Sequence, residues 1–204
     1  MIGIPGVMWI AALSSRGQRS HYSNYGTGIT LSAPSSNGHT YLRMTVEGLG
    51  ITTSTGPPEG VVTDSFGGTS SATPLVAGIA ALVISANPTL TAAQVVSILK
   101  RTASKDLSMT GYSRTPTASF DTDTSWDVSP VAPFDSGDFS DVGDADGTWS
   151  PWFGHGRVDA EAAVIAASSG SPTPATVLVT ANLQASRERK KPATKKTRRG
   201  SRSS

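Results

Sequence analysis

Gly68-Thr69-Ser70-Ser71-Ala72-Thr73-Pro74 sets a serine between a Gly-Thr step and the run Leu75-Val-Ala-Gly-Ile-Ala-Ala-Leu-Val-Ile-Ser-Ala86. The run is small and apolar throughout, which predicts a buried helix whose first turn carries a hydroxyl. Glycines just before it let another chain approach the backbone closely. The first amides of a helix have no partner inside it, and with the positive end of the dipole they stabilise an anion forming beside the serine. A lone Gly-Thr-Ser would read as a helix cap, so the flanking residues decide.

Gly67 to Gly78 as a whole resembles the nucleophile motif of the subtilisin-like serine proteases (subtilases). It is nearest to kexin-like and related bacterial members, which also favour the leucine found at Leu75. Three further segments resemble the family in the same order. Pro5-Gly6-Val7 through Ala11-Ala12, followed by Tyr22-Ser23-Asn24-Tyr25-Gly26, is similar to the strand and turn that precede the nucleophile. Ile29-Thr30-Leu31-Ser32-Ala33-Pro34 is similar to the next strand, and Gly154-His155-Gly156-Arg157-Val158-Asp159-Ala160 to the closing Gly-x-Gly-x-Val-x-Ala segment.

The resemblance implies an α/β fold, the C-terminal portion of a subtilisin-like doubly wound parallel sheet. It implies peptide-bond hydrolysis by a serine-type endopeptidase, with Ser70 as nucleophile and Phe66, Gly67, Gly68 and Thr69 bordering the substrate. It also implies a parent enzyme that is secreted, and calcium as the one cofactor to consider, since several members bind it.

A serine hydroxyl needs a base, and the base needs a partner that fixes its tautomer. Subtilases order the triad Asp, His, Ser. Here the 69 residues before Ser70 match only the part of the fold that lies C-terminal to the family's Asp, His and oxyanion-hole Asn. His21 precedes the Tyr-Ser-Asn-Tyr-Gly turn, His39 lies in a Ser-Asn-Gly-His loop, and His155 stands between glycines. None has the His-Gly-Thr setting of the family's base, and all three read as surface or turn histidines. Asp64 is not in the early strand that supplies the family's acid. In subtilisin, losing the serine or the histidine costs about 10⁶ in turnover, and an oxyanion-hole donor about 10²–10³. The chain by itself is therefore expected to be inactive. A complementary N-terminal subtilase portion and a peptide or protein substrate are the expected partners. The alternative is a catalytically dead or non-catalytic binding chain that works through its basic tail or acidic loop.

Local signals organise the rest. Val7–Leu13 and Ile29–Ala33 are apolar runs bounded by Gly, Pro and Ser, and predict buried strands. Residues 35–64 read as irregular or hairpin structure. The helix after Ser70 should stop at Asn87-Pro88. Thr91-Ala-Ala-Gln94 is a capping box, with Val95, Ile98 and Leu99 inward. Arg157–Ala167 predicts a third helix with Val158, Ala162 and Ile165 inward. Thus 1–167 is expected to form the C-terminal part of the catalytic domain, with a diverged acidic loop region over 105–150. A linker is expected over 168–186, and a disordered basic tail over 187–204.

Charge is segregated behind the formal net of +2. Residues 1–186 carry 8 Lys and Arg against 14 Asp and Glu, and residues 187–204 carry 9 against 1. The tail has no aromatic for base stacking, so it predicts no specific nucleic-acid recognition. Asp121, Asp123, Asp127, Asp135, Asp138, Asp141, Asp144 and Asp146 crowd one stretch. They lack the spacing of a calcium loop and read as a solvated loop. The absence of cysteine excludes disulfides and thiolate metal sites. No apolar run is expected to span a bilayer, and Met1-Ile-Gly-Ile-Pro-Gly6 does not read as a signal peptide.

Overall fold

Trp9-Ile-Ala-Ala-Leu13 and Ile29-Thr-Leu-Ser-Ala-Pro34 form β1 and β2, and they pair in parallel with Ile10 opposite Leu31 and Ala12 opposite Ala33. Ala11, Ala12, Leu13, Leu31 and Ala33 are all buried, as expected of parallel strands covered on both faces. The computed structural model describes residues 6–20, 22–37, 50–56, 62–107 and 137–170, all within one compact unit, Met1–Thr173. His21, His39, Asp121, Asp123, Asp127, Asp135 and the tail 187–204 lie outside the described residues, as does the linker beyond Gly170.

The far edge of β2 is taken by the segment around Arg157, which bridges Ser32 in parallel. His155 N–H donates to Thr30 O, Ser32 N–H to Gly156 O and Val158 N–H to Ser32 O, each at 2.9 Å. The flanking glycines are there for space. A Cβ on Gly154 would sit 2.4 Å from the Thr30 carbonyl, and one on Gly156 would sit 2.4 Å from the Ser104 oxygen. The segment Ile51–Ser54 (β3) pairs antiparallel with Val62–Phe66 (β4), the hairpin that delivers the chain to the serine.

Three helices complete the described fold: α1 (Thr69–Ala86), α2 (Ala92–Thr102) and α3 (Ala160–Ser168). Helix α1 ends at Asn87, before Pro88. Helix α2 opens on the capping box, with both the Thr91 side chain to Gln94 N–H bond and its reciprocal present, a device worth about 1 kcal/mol. It buries Val95, Ile98 and Leu99 as expected. In α3 the inward residues are Ala163 and Ala167, whereas Ile165 is 61% exposed. Val158 is buried as expected but precedes the helix, which starts at Ala160 after Asp159 caps it through Ala162 N–H. For Ile165 the expectation is corrected, because the Ala163–Ala167 face is the one that packs inward.

Helix α1 departs further from expectation. Its apolar run predicts burial, but only 22% of its 18 residues are buried, on a stripe of Ser71, Ala72, Val76 and Val83. That stripe packs on β1, β2 and α3. The remainder, including Leu82 at 53% and Ile84 at 46%, is exposed. With a mean hydropathy of 1.6, α1 is also long and apolar enough, by length and composition, to cross a membrane. The expectation that no run reaches that threshold is corrected, since Thr69, Ser70, Ser71 and Thr73 lower the value less than the aliphatic residues raise it. A helix apolar on every side is normally surrounded by protein or lipid, and here one side lacks a cover among the described residues.

The open face makes a prediction. The purified chain should enhance the fluorescence of an anilinonaphthalene sulfonate dye, and Leu82→Gln with Ile84→Gln should reduce that signal by half or more without lowering Tm. Dye binding unchanged by the double substitution would show that α1 is covered in solution.

Candidate functional site

The serine lies where the hairpin turns into α1. Phe66 closes β4, Gly67 and Gly68 make the turn, Thr69 is the first helical residue and Ser70 the second. Phe66 is 44% exposed and Ser70 is exposed, so the sequence-predicted positions Phe66, Gly67, Gly68, Thr69 and Ser70 share one open ridge. Gly68 is the N-cap, with φ 84° and ψ 163°, a conformation that side chains rarely adopt. No side chain caps the helix and Ser71 N–H turns back to Gly68 O, which leaves the Thr69 and Ser70 amides for an anion. Pro74 lies inside the helix. Having no N–H, it leaves the Ser70 carbonyl without its usual i+4 partner.

A net of hydroxyls fixes this turn from below. Gly68 N–H donates to Tyr22 Oη at 3.0 Å, and Tyr22 O–H donates to Ser36 O at 2.7 Å. Ser35 Oγ lies 2.7 Å from Tyr22 Oη, 2.8 Å from Gly68 O and 2.8 Å from Ser71 Oγ. Gly68 O also accepts from Ser71 N–H and Ser71 Oγ, each at 2.9 Å. Gly67 passes directly over Ser36, where a Cβ would stand 1.7 Å from Ser36 Oγ. Sequence reasoning assigns none of these supports a functional part. The Tyr22–Gly26 stretch is legible as a turn, but nothing in one dimension aims the Tyr22 hydroxyl at Gly68, 46 residues away.

The other expected chemistry falls elsewhere. His155 lies in a turn, as expected, but it is not on the surface: it is 2% exposed, a correction caused by its place against the edge of β2. Its Nε2 is 3.2 Å from Asp144 Oδ2. Lys100 Nζ reaches Asp144 Oδ2 and Asp146 Oδ2, both at 2.8 Å, and Ser97 Oγ donates to Asp146. Asp144 and Asp146 are therefore not a freely solvated pair. Burial alone pushes Asp144 up, but hydrogen bonds from Lys100 and the Asp146 amide, with the charges of Lys100 and His155, hold it below its usual 3.8. Burial chiefly, helped by Lys100 and Lys105, holds His155 below 6.5 against the pull of Asp144 and Asp146. The ammonium occupies the place between carboxylates that calcium would need. Among the described residues, no group of three or more His, Cys, Asp or Glu is arranged to hold a metal, so these aspartates do not fit the ion.

The helix bearing Ser70, the parallel strands before it and the bridging segment after it together place the chain in a family. A profile of the subtilase family matches residues 3–156, and the chain belongs to that family. A calcium-dependent protease of Trichormus variabilis is 33% identical over 180 residues, covering 84% of this chain and 22% of that protein. An extracellular protease of Xanthomonas campestris pv. campestris is 45% identical over 98 residues, 48% of this chain and 15% of that protein. Among solved structures, the Aeromonas sobria serine protease in complex with a chaperone aligns with a TM-score of 0.51 and 25% identity. That match covers 81% of this chain and 30% of the protease. The chain thus spans about a fifth of the calcium-dependent protease it matches.

The buried histidine gives a pH prediction. Its folded pKa lies below 6.5, so the unfolded chain binds the proton more readily and stability falls as pH drops below about 6.5. Asp144, also depressed, loses its contribution as pH falls below 3.8. Tm should therefore decline from pH 7 to pH 5, and His155→Gln should flatten that decline. An unchanged slope in the variant would remove His155 as its source.

Proposed function

We propose that this chain carries the nucleophile, Ser70, of a subtilisin-like serine endopeptidase, with Phe66, Gly67, Gly68 and Thr69 bordering the bound peptide. The observation that supports it most directly is an exposed serine on the first turn of a helix whose start is clamped and whose Thr69 and Ser70 amides have no partner among the described residues. A tetrahedral oxyanion formed at Ser70 would meet the backbone N–H of that turn. We place the base, its acid and the side-chain oxyanion donor outside residues 1–204. Serine attack needs a proton acceptor, and His155, the one described histidine, is buried against Asp144 beside Thr30 at the start of β2, whereas the Ser70 turn lies past its end. Residues 1–167 would be the catalytic portion, with 168–186 as linker and 187–204 as a tail with no place in the chemistry. Calcium enters no step.

The purified chain should neither cleave peptide substrates nor react with a fluorophosphonate. Mixed with the N-terminal portion of a related subtilase that brings Asp, His and oxyanion Asn, it should hydrolyse a peptide. Ser70→Ala should abolish that activity, about 10⁶ in turnover by the subtilisin precedent, while deletion of 187–204 should leave it intact. Activity that survives Ser70→Ala would refute the assignment.

A further inference from the structure

We propose that Tyr22 is a positioning residue for Ser70, acting through its phenol oxygen on the Gly68 peptide. The inference rests on the reading of Ser70 as nucleophile and names a part of its machinery that contributes no atom to bond making.

Ser70 has little to hold it directly, and no hydrogen bond of its hydroxyl is found among the described residues. Its place is set two residues earlier. The Gly68 N–H ends on Tyr22 Oη, and the Gly68 carbonyl receives Ser71 N–H and the Ser71 and Ser35 hydroxyls. Both peptide planes flanking the Gly68 Cα are thus tied. Gly68 itself has the freest backbone of any residue type and sits at φ 84°, so without those ties its dihedrals would be the softest point next to the nucleophile. A rotation there swings the whole first turn, Ser70 included. Sub-ångström placement of a reacting group carries large factors in rate.

The tie from Tyr22 reaches Gly68 from a turn fastened to β1, as the tie from Ser35 does from the buried exit of β2. Ser20 N–H donates to Ala12 O at 2.9 Å, and Ala12 N–H donates to Ser23 Oγ at 2.9 Å. The buried Arg19 guanidinium donates to Ser23 O through Nε at 3.1 Å and lies over the rings of Trp152 and Tyr25 at 4.8 and 5.2 Å. The phenol then bridges two segments. Its proton goes to Ser36 O, at the end of the β2 exit, and its lone pair takes the Gly68 proton. One hydroxyl, used as donor and acceptor at once, locks the register between the β2 exit and the start of α1. The Gly67–Ser36 contact shows how closely the two segments run.

The test is Tyr22→Phe in the full chain, which keeps the ring and deletes the oxygen. Amide exchange of the Gly68 N–H should accelerate about tenfold, as for loss of one hydrogen bond, while amides of Val95–Leu99 in α2 stay unchanged. In the complemented enzyme, kcat should fall at least tenfold with KM within a factor of two. Equal Gly68 exchange, an unchanged kcat, or a parallel acceleration in α2 would each overturn the proposal, the last by showing general destabilisation. If the wild-type chain cannot be complemented at all, the reading of Ser70 fails separately, and the exchange comparison alone decides whether Tyr22 holds Gly68.

Discussion

The start of α1 has to satisfy two demands that oppose each other. Its body must be fixed to the sheet and, on the proposed reading of Ser70, the Thr69 and Ser70 amides must stay unspent. An ordinary helix resolves its leading amides with a side-chain cap, which would consume the groups an oxyanion needs. Here Gly68 caps without a side-chain bond, and the anchoring moves one peptide outward. The Gly68 N–H and carbonyl are held by Tyr22, Ser35 and Ser71 instead. The cost is a glycine at positive φ and a set of buried hydroxyls that must all be matched. Ser35 and Ser71 are buried with their hydroxyls donated to Gly68 O, so a shift of that carbonyl leaves buried hydroxyls without an acceptor, which costs more than the bonds contribute.

The small residues around this turn arise from the same demand. Gly67 crosses Ser36 at a distance that no Cβ permits. The serines at 35, 36 and 71 are short enough to bond the backbone without pushing it away. Along the edge of β2 away from β1 the same logic recurs: Gly154 and Gly156 lie against the backbone of Thr30 and Ser104. At both places a glycine lets a neighbouring segment run close to β2 or its exit. This explains how a loop-rich chain, 37% hydrophobic with 21 glycines, builds its described core largely from Ala, Val and Leu.

Features that depend on neighbours in the chain are legible in the sequence. The strands around Ala11 and Leu31, the capping box at Thr91 and the stop at Asn87 all derive from local composition, and all are present. Local composition misplaces three things whose outcome is set at a distance. Helix α1 reads as buried because it is apolar on every side, yet the cover for Leu82 and Ile84 is not among the described residues. Ile165 reads as inward, but the face of α3 that packs inward is Ala163–Ala167. His155 reads as a surface or turn residue, and the turn is present, but the flanking glycines let it press against Thr30 and Ser104, which buries the ring. The support of Ser70 is illegible for the same reason: Tyr22 reaches Gly68 across 46 residues.

The ion-pair cluster shows how far the stability of the scaffold is separate from its chemistry. Lys100 leaves the last turn of α2, where a cation also favours the helix dipole, and clamps Asp144 and Asp146 at 2.8 Å each. Asp144 in turn touches His155, whose backbone carries the bridge to Thr30. Lys105 closes the far side by donating to His155 O at 2.8 Å and Thr148 O at 3.1 Å. Through these contacts α2, the acidic loop and the bridging segment are tied to the edge of β2 away from β1. An aspartate-rich loop can attach to a fold by binding a cation from solvent or by receiving one from the chain, and in the described part of this loop the lysine takes that role. Protonating His155 would add a positive charge beside Lys100 and Lys105, which accounts for burial and charge working together to keep the ring neutral. A fall of pH below about 6.5 therefore acts through His155 on the edge of β2.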